Sequence, residues 1–210
     1  ENTMRRLFSL FFYVLSGVGI SLTIKADIGV SAFNAMNLSL SEWTSIKVGT
    51  ITFAVNSIFL LVYALLTRFR FIKKYLIMLG TIICLGWVIN FFTYQVFSGL
   101  VIAEYPLRVL LFLLGITISG SSTGIILYLD VLTFPIESMC FALEERTART
   151  FKFYRYSVDV FSVSVALLLT LFAHVPLAIR EGTVISLLLF SGIISFAFNS
   201  CQRLLKQEES

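Results

Sequence analysis

Six apolar runs of roughly 18 to 24 residues leave this chain few ways to fold, because at about 1.5 Å per residue each can cross about 30 Å of hydrocarbon as an α-helix. They lie near Leu7 to Ile24, Val48 to Leu66, Tyr75 to Phe97, Leu107 to Leu129, Tyr154 to Val175 and Thr183 to Cys201. Lipid offers no hydrogen bonds to a backbone, so the runs predict an all-α membrane protein of six transmembrane helices. Composition agrees: 58% of the 210 residues are hydrophobic and only 13% charged, a balance no ordinary soluble domain has. The connections are too short for a separate soluble domain, and a single transmembrane domain is expected over residues 4–203. Glu1, Asn2 and Thr3 read as a cloning remnant before a natural start at Met4. No cleavable signal peptide is expected, since the first run is full length and lacks a small-residue cleavage site.

Lysine and arginine give the orientation. Arg5 and Arg6, then Arg68, Arg70, Lys73 and Lys74, then Arg146, Arg149, Lys152 and Arg155, and finally Arg203 and Lys206 fall on one side of the six spans. The other side holds Lys25, Lys47, Arg108 and Arg180, so the bias is twelve against four. The positive-inside rule then places both termini in the cytoplasm. Topology and anionic lipid account for the net positive charge, and no nucleic-acid partner is expected. Trp43, Trp87 and tyrosines near span ends fit an interfacial aromatic belt.

The chain also repeats itself. A shift of about 103 residues, without gaps, aligns the first two spans with the fourth and fifth over about 60 residues. Identical pairs include Arg5 with Arg108, Ser16 with Ser119, Gly17 with Gly120, Asp27 with Asp130, Met36 with Met139, Glu42 with Glu145, Thr44 with Thr147 and Thr67 with Thr170. Each copy carries three spans, repeat one over about residues 5–97 and repeat two over about 107–203. An odd number makes the second copy enter the membrane from the opposite face. Two inverted three-helix repeats are a recurring design of secondary carriers, with the solute near the midplane between halves; the same duplication can also simply build a stable bundle.

The stretch Gly17-Val-Gly-Ile-Ser-Leu-Thr-Ile-Lys-Ala-Asp-Ile-Gly29-Val-Ser-Ala-Phe-Asn34, with Glu181-Gly-Thr-Val-Ile-Ser186, resembles the YczE/YyaS/YitT family of bacterial integral membrane proteins. That family's pattern has a proline two residues before an acid. Here the first repeat has Ala32 and Asn34 at those positions, and the second keeps Pro135 and Glu137. The resemblance implies a multi-pass protein of the bacterial plasma membrane that moves a small metabolite, vitamin B6 compounds being one class.

Several residues are candidates for binding a solute or ion. Asp159 is the acid most convincingly inside hydrocarbon, with Asn56 as its repeat mate; such acids usually face a polar interior, although Arg155 one turn earlier could simply pair with it. Glu137, mate of Asn34, follows Pro135 in the first turn of an expected short helix. It reads either as a dipole-favoured stabiliser or as a group aimed at a solute path. Together Asp159, Glu137, Asn34 and Asn56 are expected to face a polar cavity between the halves. Asp27 and Asp130 end their spans at opposite faces, as ligands or as caps of solvated turns. Gly17 and Gly120 sit in small-residue stripes that permit close helix packing or local unwinding around a solute. His174 reads as interfacial rather than as a proton relay. The three cysteines, Cys84, Cys140 and Cys201, lack paired or metal-ligand spacing, and no metal or cofactor is expected. No nucleophile with a base, and no paired acids at diagnostic spacing, point to an enzyme. The remaining alternatives to a carrier are a substrate-capture subunit of a larger transporter and an accessory protein. A homo-oligomer or membrane partner stays open.

Overall fold

The computed structural model describes the backbone of residues 2–208 and the side chains of 4–203. The residues read as a cloning remnant, and Lys206 of the last basic cluster, have side chains outside the described residues. Within it the chain is helical: α1 (Asn2–Ala26), α2 (Ala32–Thr44), α3 (Val48–Leu66), α4 (Ile72–Phe91) ending in a π-helical turn (Phe92–Val96), α5 (Tyr105–Leu129), α6 (Pro135–Glu144), α7 (Phe151–Ala173) and α8 (Glu181–Glu208). Six of these are long and apolar enough to cross a membrane: Met4–Ala26, Val48–Leu66, Ile72–Val96, Tyr105–Leu129, Phe151–Ala173 and Glu181–Arg203. The chain is a multi-pass membrane protein, and the expected spans agree with these bounds to within a few residues. The two short helices α2 and α6 follow the first and fourth spans, as the repeat requires.

Helix ends are set locally. Pro106 and Pro135 stand in the first turns of α5 and α6, where a missing N–H costs nothing. Asp27 and Asp130 close the first and fourth spans in left-handed conformations, with φ of 50° and 47°. Aspartate tolerates that region better than most residues. His174 closes α7 in the same way, with φ of 55°.

The chain divides into two units. The first comprises α1, the π-turn, α5 and α8. Here α1 packs on α5 with backbones nearly touching: a Cβ added at Gly19 would lie 2.6 Å from the Ser119 nitrogen, and one at Gly115 would lie 2.8 Å from the Gly19 oxygen. Thr23 also borders Gly115, and Asp27 meets Arg108, so residue numbers fall along α5 as they rise along α1. The two helices run antiparallel. Small residues permit this approach, and that is the role the structure gives the glycine stripe. Gly120 and Gly124 face α8 instead, against Ile193 and the Ile194 carbonyl. Gly17 is buried, and its carbonyl accepts a hydrogen bond from Ser21 Oγ at 2.9 Å.

The second unit comprises α2, α3, α4, α6 and α7. Its packing partners come in matched sets: α2 lies on α7 as α6 lies on α3, and α2 lies on α3 as α6 lies on α7. Under the sequence repeat, α2 corresponds to α6 and α3 to α7. Small details recur as well, since Thr44 Oγ1 donates to the Leu40 carbonyl at 2.6 Å and Thr147 Oγ1 to the Leu143 carbonyl at 2.8 Å. A core of Leu60, Tyr63, Met78, Ile82, Met139 and Cys140 fills the unit. Asn90 pins α4 to α3, accepting from the Gly49 N–H at 2.8 Å and donating to Thr50 Oγ1 at 3.0 Å, beside a close approach of Gly49 and Gly86.

Candidate functional site

Two carboxylates and one guanidinium meet inside the second unit. Pro135 starts α6 and so fixes Glu137 in its first turn, with its side chain 17% exposed. Arg155 and Asp159 lie one turn apart on α7, which packs against α6. Arg155 Nη1 reaches Asp159 Oδ1 at 2.6 Å, a charge-assisted hydrogen bond, and Arg155 Nε stands 3.9 Å from Glu137 Oε1. The second Glu137 oxygen, Oε2, is buried and has no hydrogen-bond partner among the described residues. Burial pushes the Glu137 carboxyl above the ordinary glutamate range, and the Arg155 charge opposes that rise. Two acids against one base leave the group with one formal negative charge. An unpartnered acceptor in such a place is costly unless something else supplies a proton or a donor. Cys140, one turn beyond Glu137, is fully buried, and burial first and the Glu137 charge second push its thiol up to about 11. It carries no thiolate at neutral pH.

The expected quartet is therefore partly assembled. Glu137 and Asp159 come together through Arg155, and Asp159, 18% exposed, has the ion pair with the arginine one turn earlier. Asn56 is 4% exposed, but its Nδ2 donates at 2.8 Å to the Thr52 carbonyl of its own helix. Asn34 is half-buried in the first turn of α2, the place Glu137 occupies in α6. One turn on, Asn37 is fully buried, with neither amide atom hydrogen-bonded among the described residues. Sequence reasoning passed over Asn37; the signal was its repeat mate, Cys140, one turn after Glu137. A groove of about 420 Å³ between Trp43 of α2 and Val165, Leu168, Leu169, Phe172 and Ala173 of α7 is apolar and includes none of these residues.

In the first unit Asp27 is a hub rather than a lone cap. Arg108 Nη1 pairs with its Oδ2 at 3.1 Å, and Arg180 Nη1 donates to its carbonyl at 2.9 Å and stands 3.5 Å from its Oδ1. Gly182 N–H donates to the Ile28 carbonyl at 2.7 Å, which ties the start of α8 to the end of α1. Gly29 turns the chain there with φ of 109°, and a side chain on it would press on Thr183. Asp130 is exposed and forms no ion pair among the described residues. No group of three or more histidine, cysteine or acidic residues that could hold a metal occurs among the described residues.

Residues 3–199 match a family described as "Family of unknown function (DUF6198)". The chain is also similar to the "Uncharacterized protein YyaS" of Bacillus subtilis (strain 168), 28% identical over 142 residues that cover 68% of this chain and 69% of that protein. The resemblance to YyaS-like proteins is thus borne out. No solved structure matches the chain.

Proposed function

The chain belongs to the DUF6198 family of unknown function, and from that premise we propose that it is a small-molecule carrier of the bacterial plasma membrane, built from two inverted three-span repeats that expose a central site to alternate faces. The observation that carries this reading is the matched packing. Repeat mates α1 and α5 run antiparallel, and the contacts of α2 with α7 and α3 return as those of α6 with α3 and α7. A twofold axis in the membrane plane produces both features, and inverted repeats of this kind serve alternating access. Glu137, Arg155 and Asp159 are the solute or proton site. Asn34 and Asn56 are their neutral counterparts, which can hydrogen-bond but not titrate.

A screen of thermal stability against candidate metabolites, vitamin B6 compounds first, tests the binding half of this reading. A true solute at about 100 times its dissociation constant adds about 2.7 kcal/mol to stability. Glu137→Gln and Asp159→Asn lose that increment while keeping their own melting transition. Equal stabilisation of parent and variants would move the site elsewhere.

Both termini are cytoplasmic in this account, because the twelve basic residues cluster on one side. In intact cells a membrane-impermeant thiol reagent labels a cysteine introduced at Lys47 and misses one at Arg70 or Arg146. The reverse pattern would overturn the orientation.

A further inference from the structure

The ion pair between Asp27 and Arg108 has a twin in the sequence. The shift that aligns the repeats pairs Arg5 with Arg108 and Asp27 with Asp130, so Arg5 and Asp130 are the equivalent partners at the other ends of the same two helices. We propose that Arg108 with Asp27 and Arg5 with Asp130 are two alternative clasps on the crossed pair α1 and α5, one closing as the other opens, which rests on the carrier reading and supplies its moving part.

Register supports the twin. Arg5 and Asp27 on α1 lie the same 22 residues apart as Arg108 and Asp130 on α5. Because the helices are antiparallel, the contact of Asp27 with Arg108 brings Arg5 level with Asp130. That span is about 33 Å at helical rise, close to a bilayer core. Both aspartates present their side chains from the same left-handed cap, φ 50° and 47°. Yet only one clasp is made. Asp27 holds Arg108 at 3.1 Å, whereas Arg5 and Asp130, both exposed, form no ion pair among the described residues.

The pivot lies between the clasps. Gly19, Gly115 and Ser119 touch near the middle of both helices, where the small residues let backbone ride on backbone. Rocking one helix on the other about that point, so that their separation rather than their crossing angle changes, narrows one end while it widens the opposite one. The ends are not equivalent, however, since Arg180 of α8 adds a second cation to Asp27. The Asp27 clasp is therefore the resting state, and breaking it shifts the balance to the other.

The test uses the full chain in native membranes, with Cys84, Cys140 and Cys201 replaced by serine and the reporter pair Met4→Cys and Val131→Cys, which leaves Arg5 and Asp130 in place beside the reporters. Oxidation with copper phenanthroline reads how often the two ends meet. Cross-linking is slow while the Asp27 clasp is intact, and adding Asp27→Asn or Arg108→Gln raises its rate about fivefold, the scale of one exposed ion pair. The two additions remove different partners, so a folding defect in one leaves the other to decide. Fast cross-linking with the clasp intact, or a rate that neither change alters, overturns the proposal. Solute uptake by the same membranes reports separately on the carrier reading: an unchanged cross-linking rate with uptake intact discards the clasps alone.

Discussion

Arg155→Leu lowers the unfolding midpoint of the purified protein by roughly 6 to 12 °C. The substitution removes the only cation from a group whose acids are 17% and 18% exposed. Loss of one partner of a buried pair costs about 3 kcal/mol because the charge left behind is unpaired, whereas replacing the whole group by neutral residues costs far less. A triple variant that adds Glu137→Gln and Asp159→Asn to Arg155→Leu recovers most of the loss. That non-additivity is the signature of one coupled group. A single variant as stable as the parent, or a triple variant worse than the single, would mean that the three side chains do not act as a unit.

The second large effect is on flux. Glu137→Gln and Asp159→Asn keep size, shape and hydrogen bonding but remove a titratable charge, so the helices that carry them still insert and pack. A carrier that must take up and release a proton or a cationic group at this site cannot complete its cycle without the charge. Uptake in either variant falls to background, or its pH dependence moves by a unit or more, while abundance in the membrane stays near the parent's. The reciprocal exchange Asn34→Asp, at the repeat mate of Glu137, alters the pH profile without abolishing uptake. Parental uptake and pH profile in both acid variants would make the two acids structural.

Much of the fold can be read from the chain because lipid imposes a length and a composition on every span. The apolar run Val48 to Leu66 lies between the basic residues Lys47 and Arg68, and the helix keeps those limits. The short helices were legible from the repeat, since Pro135 and Glu137 mark a helix start that Ala32 and Asn34 must share. The pair Arg155 and Asp159 follows from spacing alone. What could not be read depends on distance along the chain. Asp27 meets Arg108 and Arg180 across separations of 81 and 153 residues, and no local pattern announces such partners. Glu137 joins Arg155 only because α6 lies on α7. Burial is equally opaque: in a membrane protein an apolar face can meet lipid or protein. That is why nothing local marked Asn37 as fully buried, whereas Asn34, singled out as the repeat mate of Glu137, is half-exposed.

Transport itself is tested most directly by uptake into liposomes that contain this purified chain and no other protein. With the metabolite that stabilises the protein supplied outside, a vitamin B6 compound being the first choice, the account predicts saturable accumulation that responds to an imposed pH gradient. The same uptake is absent from liposomes carrying Asp159→Asn. Binding of the metabolite without any flux, under every gradient applied, would contradict the carrier and leave a substrate-capture subunit in its place.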